Sequence, residues 1–523
     1  MSEKKNIARA AGVLGLATIL SRIMGMVRDM VVSRLFGAGY ATDAFFAAFQ
    51  IPNMLRRFFA EGALTSAFVP AFSECYTLKG ENEARELANI CFTLLTIVMA
   101  VVTISGIILS PQIVRLMFPG FAAEPSKLEL TILLNRLMFP YIFFVSLVAL
   151  CMGILNTLRH FFTPAISTVF LNITIILSAL LLHNAFAVPI LSLAVGVLIG
   201  GLLQLLLQLP VLWNKGFRLR FRFDFQNPAV RRITLLMVPS IFGVGVYYLN
   251  ITVGNILASM LPQGSVSYLY YAQRLFEFPQ GIFTVSVAQA VLPSMSRQAA
   301  DGDIDALKES LQFGLRLMIF ITIPAMAGLI VSATPIFSLL FMGGAFDYAK
   351  AVACGDALVQ YSLGLTSVAM VRVLAPAFYA LKDTRTPVIT ALAAFVLNLV
   401  FSLILMRSML HSGLALASSL AALGNMTLLF YFLRRKVGPF GGRNLLLVSV
   451  KSISAAVPAA AAAMFLLQFA NWSAQSEKLL KGGVLLAAIL AAVVTYALFS
   501  LLFRSEEAGE VAALVKRKLL KSG

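Results

Sequence analysis

Ionisable side chains crowd a stretch of this chain that is otherwise apolar enough to lie in a bilayer. From Ser21 to Pro70 it reads SRIMGMVRDMVVSRLFGAGYATDAFFAAFQIPNMLRRFFAEGALTSAFVP, and within it fall Arg22, Arg28, Asp29, Asp43, Arg56, Arg57 and Glu61. A charge held at mid-membrane costs on the order of 2.5–3.5 kcal/mol, so each must either pair or face a watered, protein-lined cavity. A cavity gathering Arg22, Arg28, Arg56 and Arg274 would be an anion site, because forked guanidinium donors match phosphate oxygens and stay charged at any relevant pH.

Pairing is the competing reading, and spacing sorts the candidates. Arg57 with Glu61 and Arg274 with Glu277 are four and three residues apart, so each pair can meet on one helical face. Arg28 and Arg56 lack an obvious local partner. Asp29, adjacent to Arg28, is expected not to face it, although it shares a face with Arg22. Asp43 stands alone: it could hold an arginine, take up a proton or sit at a cavity mouth, and Pro52 breaks the register that would choose among these. Arg372 in RVLAPAF and Arg136 are cavity or packing residues, with packing preferred for Arg136 and an interfacial role for Arg34. Gly25, Gly37, Gly39, Gly62 and Pro52 interrupt the first two helices, as Pro279, Gly281 and Pro293 do the eighth, allowing close backbone approach beside a cavity.

The elements that must position these groups are transmembrane helices. Of 523 residues, 59% are hydrophobic and 12% charged, which excludes a soluble domain. Apolar windows near 10–35, 42–72, 85–117, 129–157, 164–183, 188–213, 233–261, 268–296, 312–341, 355–380, 386–409, 412–433, 445–469 and 481–503 predict an all-α polytopic protein of about 14 helices. The alternation of a membrane strand is nowhere seen. The net charge of +18 sits mostly in short connections. The side holding both termini carries roughly 26 Lys and Arg against roughly 5 opposite, which predicts cytoplasmic termini and argues for topology over nucleic-acid binding. The basic segment around LRFRFDFQNPAVRR is the largest contributor. Cys75, Cys91, Cys151 and Cys354 have no paired spacing and read as packing residues, with no metal site expected.

An internal repeat organises the helices. SPQIVRLMFPGF from Ser110 returns as TPIFSLLFMGGAF from Thr334, AFVPAFSE around Pro70 as AVLPSMSR around Pro293, and LRHFFTPAI from Leu158 as LKDTRTPVI from Leu381, all displaced by about 223 or 224 residues. Two homologous six-helix lobes follow, parallel because six is even. The expected parts are an N-terminal lobe at 1–214, a basic linker at 215–232, a C-terminal lobe at 233–436, two extra helices at 437–503 and a basic tail at 504–523. Catalytic motifs are absent: there is no phosphate-binding glycine loop, and DIDALKE reads as a solvated helix start. His160, His183 and His411 fall at helix ends and read as satisfied or solvated groups. An exporter of organic cations would want acids in its cavity, and a membrane enzyme acting on polyprenyl phosphates would want paired acids and usually a metal.

The runs SRIMGMVRD and GAGYATDAFFAAFQIPNMLRRFFAEGALTSAFVP, with YYAQRLFEFPQGIF in the eighth helix, resemble the lipid II flippase family MurJ (MviN) of the multidrug/oligosaccharidyl-lipid/polysaccharide exporter superfamily. The resemblance covers nearly the whole chain. It implies a bacterial inner-membrane transporter that moves undecaprenyl-diphosphate-MurNAc-pentapeptide-GlcNAc to the outer leaflet for peptidoglycan synthesis. It further implies that Arg22, Arg28, Arg56 and Arg274 are the essential cavity residues, with Asp43 also important, and that the last two helices form a groove for the lipid tail. Gln50 and Gln273 depart from a basic and an acidic residue in some relatives. A flippase for another polyprenyl-linked oligosaccharide is the nearest alternative. The expected partners are lipid II, membrane lipids and the peptidoglycan synthesis machinery, with the chain a monomer and no cofactor. The coupling force stays open between membrane potential, a proton, an exchanged anion such as chloride, and sodium on Asn250, Asn255 or Asn398.

Overall fold

Residues 3–56, 64–224 and 226–509 are described in the computed structural model, and among them helices form nearly everything. Among the described residues an isolated β-bridge joins Gly343 and Phe346. The chain divides into two compact units, Met1–Val266 and Ser267–Gly523.

In the first unit the order is α1 (Glu3–Phe36), α2 (Tyr40–Arg56), α3 (Thr65–Lys79), α4 (Glu81–Ile108), α5 (Ser110–Met117), α6 (Pro125–Met138), α7 (Tyr141–Thr157), α8 (Phe162–Leu182), α9 (Leu191–Asn214) and α10 (Pro228–Ser259). Small residues set the closest packing. An added Cβ at Gly196 would come within 2.9 Å of Ile175 Cα and Ser178 Cβ, so α8 and α9 touch almost backbone to backbone. Asn227 starts α10 by accepting from Ala229 N at 3.0 Å, with Pro228 at the first helical position, where its missing N–H costs nothing. α10 lies against α3 and the turn Pro119–Ala123: Gly120 N donates to Ser259 Oγ, and Arg232 pairs with Glu74 at 2.9 Å.

The second unit follows as α11 (Ser265–Pro279), which begins at the boundary, a π-helical turn at Gln280–Thr284, α12 (Val285–Ala300), α13 (Ile304–Leu340), α14 (Tyr348–Ser362), α15 (Leu365–Ala380), α16 (Arg385–Val437), α17 (Gly442–Leu467) and α18 (Lys478–Leu502). α16 is broken at Leu410, whose φ is 52°. Asp303 caps α13 through Ala306 N at 2.9 Å, which places DIDALKE at a helix start. A core of Leu311, Leu315, Met318, Val373, Leu374 and Phe378 joins α13 to α15 and extends to α17.

The repeat is visible in backbone detail. After α7, Leu158 N, Arg159 N and His160 N donate to Ile154 O, Asn156 O and Leu155 O; after α15, Leu381 N, Lys382 N and Asp383 N donate to Ala377 O, Tyr379 O and Phe378 O. Arg159 and Lys382 both take φ of 58°, a left-handed conformation that closes a helix C-terminus. Each closure leads into a Thr-Pro that opens the next helix.

Eight described spans are long and apolar enough to cross a membrane, with α6 and α7 together counted as one, or nine if the bent pair α14 and α15 is also one span. The protein is therefore an all-α, multi-pass membrane protein. The fourteen windows are not reached by this measure, in which α16 is counted once across its break.

Candidate anion site

In the first unit Arg28 and Asp29 sit together where α1 meets α8. Arg28 and Asp29 are both buried. Arg28 donates to Asp29 Oδ1 from Nε at 3.0 Å and from Nη2 at 2.7 Å. This corrects the expectation that adjacent residues do not face each other. That spacing rule concerns Cβ directions, and the long arginine side chain curls back to place its fork on a short neighbour. Arg28 Nη1 donates to Asn172 Oδ1 at 3.2 Å. The Asn172 amide is oriented by its other end, since Nδ2 donates to Ser21 O and Thr168 O, both at 3.3 Å. A Cβ at Gly25 would stand 3.8 Å from Asn172 Nδ2, an ordinary contact, so this bond does not itself require a glycine there. Arg22, the residue after Ser21 on α1, is exposed.

A second buried pair lies within the same unit. Asp43, in the first turn of α2, accepts from Lys127 Nζ of α6 at 3.1 Å and from Gly264 N at 2.7 Å. The Lys127 ammonium also sits over the Phe121 ring, 4.5 Å from its centroid. Asp43 is thus not alone, and neither it nor Lys127 faces open solvent. Lys127 is not legible as this partner in the sequence, because it lies 84 residues away, outside the apolar window it precedes. Its one signal is the repeat: Lys350 stands 223 residues later, and there it pairs with Asp347 at 2.7 Å.

Arg56 does have a local partner, Asn53, whose Oδ1 accepts from Nε at 3.1 Å. Pro52 is buried inside α2. Arg57, Glu61 and Gly62 lie outside the described residues.

In the second unit Arg274 stacks over Tyr270, 5.2 Å from the ring centroid, and donates to its Oη at 3.2 Å. Glu277 approaches Arg274 to 3.8 Å, so the pair three residues apart does meet, loosely. Gln273 donates to Glu277 at 3.3 Å. Arg372 is exposed and reaches Gln280 Oε1 at 3.4 Å, on the π-helical turn that follows Pro279. Such single-turn π segments are frequent at functional sites.

Chemically, the first unit offers one buried guanidinium, that of Arg28, aimed by a carboxylate and an amide, a fork of the kind that suits an oxyanion ligand. Among the described residues no group of three His, Cys, Asp or Glu could hold a metal ion. The cysteines are free thiols, three of them buried.

Comparison with known proteins gives this arrangement a context. The lipid II flippase MurJ family profile matches residues 32–501. A probable lipid II flippase MurJ of Vibrio cholerae is 39% identical over 433 residues, 82% of each chain. One from Haemophilus influenzae is 34% identical over 92% of this chain and 96% of its own. A solved lipid II flippase MurJ in an inward closed conformation superposes with a TM-score of 0.78 at 28% identity, covering 94% of this chain and 98% of that one. An inward-facing MATE transporter of the MOP superfamily, 14% identical with a TM-score of 0.67, shares the fold over 82% of this chain and 98% of its own.

Proposed function

Because this chain belongs to the lipid II flippase MurJ family, we propose that it carries lipid II across the membrane with Arg28 and Arg56 as ligands of the diphosphate. It is a transporter and not an enzyme, and it serves peptidoglycan synthesis through that substrate. The observation that carries the residue assignment is the buried guanidinium of Arg28, held by Asp29 and by an amide that can only present its oxygen. A guanidinium held in place needs little reorganisation when phosphate oxygens replace water, and its fork can take two of them. Arg22 and Arg274 carry the same chemistry and are assigned the same role, with Arg372, Glu277, Arg57 and Glu61 in support.

Transport follows alternating access. The headgroup enters from one side, and its binding favours the state in which the arginines hold it better. A ligand shifts such an equilibrium only by its differential affinity for the two states. We place the chain in a bacterial cytoplasmic membrane with both termini inside, as the Lys and Arg bias requires, acting as a monomer beside the peptidoglycan synthesis machinery. Membrane potential, a proton, chloride or sodium are the candidate coupling forces, and flux measured under each imposed gradient separates them.

The deciding experiment is leaflet accessibility of lipid II in cells depleted of their native flippase and supplied with this chain. Arg28→Ala or Arg56→Ala should abolish translocation while the protein stays abundant in the membrane. Normal flux in those variants would sink the arginine assignment, and loss of flux together with the protein would make these residues structural.

A further inference from the structure

The segment between α9 and α10 is a strap tied across α3 and α4. Its odd-numbered side chains go inward at the start: Phe217 is buried against Phe72, ring centroids 5.8 Å apart, and lies under the Arg85 guanidinium. Further along, Phe221 packs on Phe92 of α4 at 5.6 Å. Its backbone is held at every second residue, since Arg220 N donates to Asn89 Oδ1 at 2.9 Å and Arg222 N to Thr93 Oγ1 at 2.8 Å. These bonds satisfy donors that no helix or sheet takes up, and they fix the register of the strap on α4. In a segment so tied, successive side chains alternate in direction. Arg218, Arg220 and Arg222 therefore share one side, and Leu219, Phe221 and Phe223 the other.

The location on α4 is informative. The strap crosses between the charged first turns of that helix, with Glu81, Glu83 and Glu86 exposed, and its apolar exposed face, which begins at Ile97 and continues through Val101 and Ile104. Thr93 lies four residues, about 6 Å of helix rise, before Ile97. A change from exposed carboxylates to exposed aliphatic side chains along one helix is the pattern of a membrane–water boundary. At this level Phe221 is 60% and Phe223 71% exposed, Trp213 at the end of α9 is half exposed, and all three arginines are exposed. Aromatic rings at a membrane–water boundary beside a row of cations fit acyl chain and phosphodiester together.

We propose that the strap 217–224 is a binding surface for anionic phospholipid headgroups, with Arg218, Arg220 and Arg222 on the phosphates and Phe221 and Phe223 in the acyl boundary. It does not depend on the transported substrate, and its arginines are none of those assigned to the diphosphate.

Trp213 reports on it directly. The whole chain is reconstituted with brominated phosphatidylglycerol or brominated phosphatidylcholine at equal mole fraction, and the signal of a Trp213→Phe variant is subtracted to remove Trp472. The expected result is stronger quenching by the anionic lipid, a preference of about fivefold for each engaged arginine at low ionic strength. It should shrink when salt rises from about 0.05 M to about 0.5 M. The triple variant Arg218→Gln, Arg220→Gln, Arg222→Gln should lose the preference, and the corresponding triple lysine variant should keep it. Equal quenching by both lipids in the unmodified chain, or a preference that survives the glutamine variant, overturns the proposal. Should the glutamine variant not fold, the unmodified chain still decides, because a preference indifferent to salt is not one for charge.

Discussion

Arg28 is at once a candidate ligand for phosphate and half of a buried ion pair, and the two roles predict different variants. Asn172 touches only the first role, since Asp29 remains to neutralise the charge. Removing a hydrogen bond to a charged group costs about 1.5–3 kcal/mol. Asn172→Ala is therefore expected to weaken lipid II binding by about tenfold or more in a detergent titration, with abundance unchanged. Unaltered affinity would mean that Asp29 alone positions the guanidinium. Asp43 and Lys127 form the complementary case, a pair whose breakage leaves one buried charge behind. Asp43→Asn or Lys127→Met alone should each lower stability by about 3–5 kcal/mol, while the double variant should lose much less than the sum. Thermal unfolding of the purified chain in detergent measures this, and additive losses would deny the coupling.

At the scale of elements, the repeated helix closures carry the argument. Lys382 holds a left-handed conformation that costs a residue with a Cβ about 1–2 kcal/mol relative to the right-handed region, and the matching Arg159 does the same. Lys382→Gly should leave the melting temperature unchanged or higher, and Lys382→Val should lower it. A fall with glycine would show that the lysine side chain matters more than its backbone. The neighbouring Asp383 accepts from Lys436 at 2.7 Å and from Thr386 N at 3.0 Å, which opens α16. The Lys436 ammonium and then the Thr386 amide hold its carboxyl down from 3.8 to about 2. A carboxyl depressed on folding adds stability that is complete above its unfolded value and lost as pH falls through the folded one. Between pH 4 and 2 the unmodified chain should therefore lose stability that an Asp383→Asn variant never had. Parallel acid-melting curves for the two would contradict this.

For the molecule as a whole, the placement of the last two helices matters. Within the second unit, α18 and the short segment after it are fastened to α13 at three levels. Arg316 of α13 pairs with Glu507 at 2.6 Å and Glu506 at 2.5 Å, Tyr496 Oη donates to Phe320 O at 2.7 Å, and the buried Lys481 reaches Ser338, Trp472 O and Ala474 O. Glu507→Gln should raise amide exchange at the C-terminal end of α18 and in the segment after it, residues 498–509, and leave the Lys481 end protected. Uniform loosening of the helix would mean that apolar packing alone holds it. Orientation is tested by labelling: Ser473→Cys should react with an impermeant thiol reagent from outside intact cells, and Asp301→Cys only after the membrane is opened. The reverse pattern would invert the topology proposed from the charge bias.

Apolarity, the displacement of 223 residues and the long N-terminal motif determined by themselves that this chain is an all-helical, repeated membrane transporter and which family it belongs to. These properties are written in composition and order, and they survive any detail of packing. Local pairing was partly legible as well: Arg274 and Glu277 meet because three residues bring side chains to one helical face. The partners of Arg28 and Asp43 were not, since Asn172 is 144 residues and Lys127 84 residues away. Which buried charge faces which donor depends on how helices distant in the chain are packed and rotated against one another, and helical period does not encode that. Only the tertiary structure decided that Asp43 is half of a buried ion pair and that an asparagine aims Arg28.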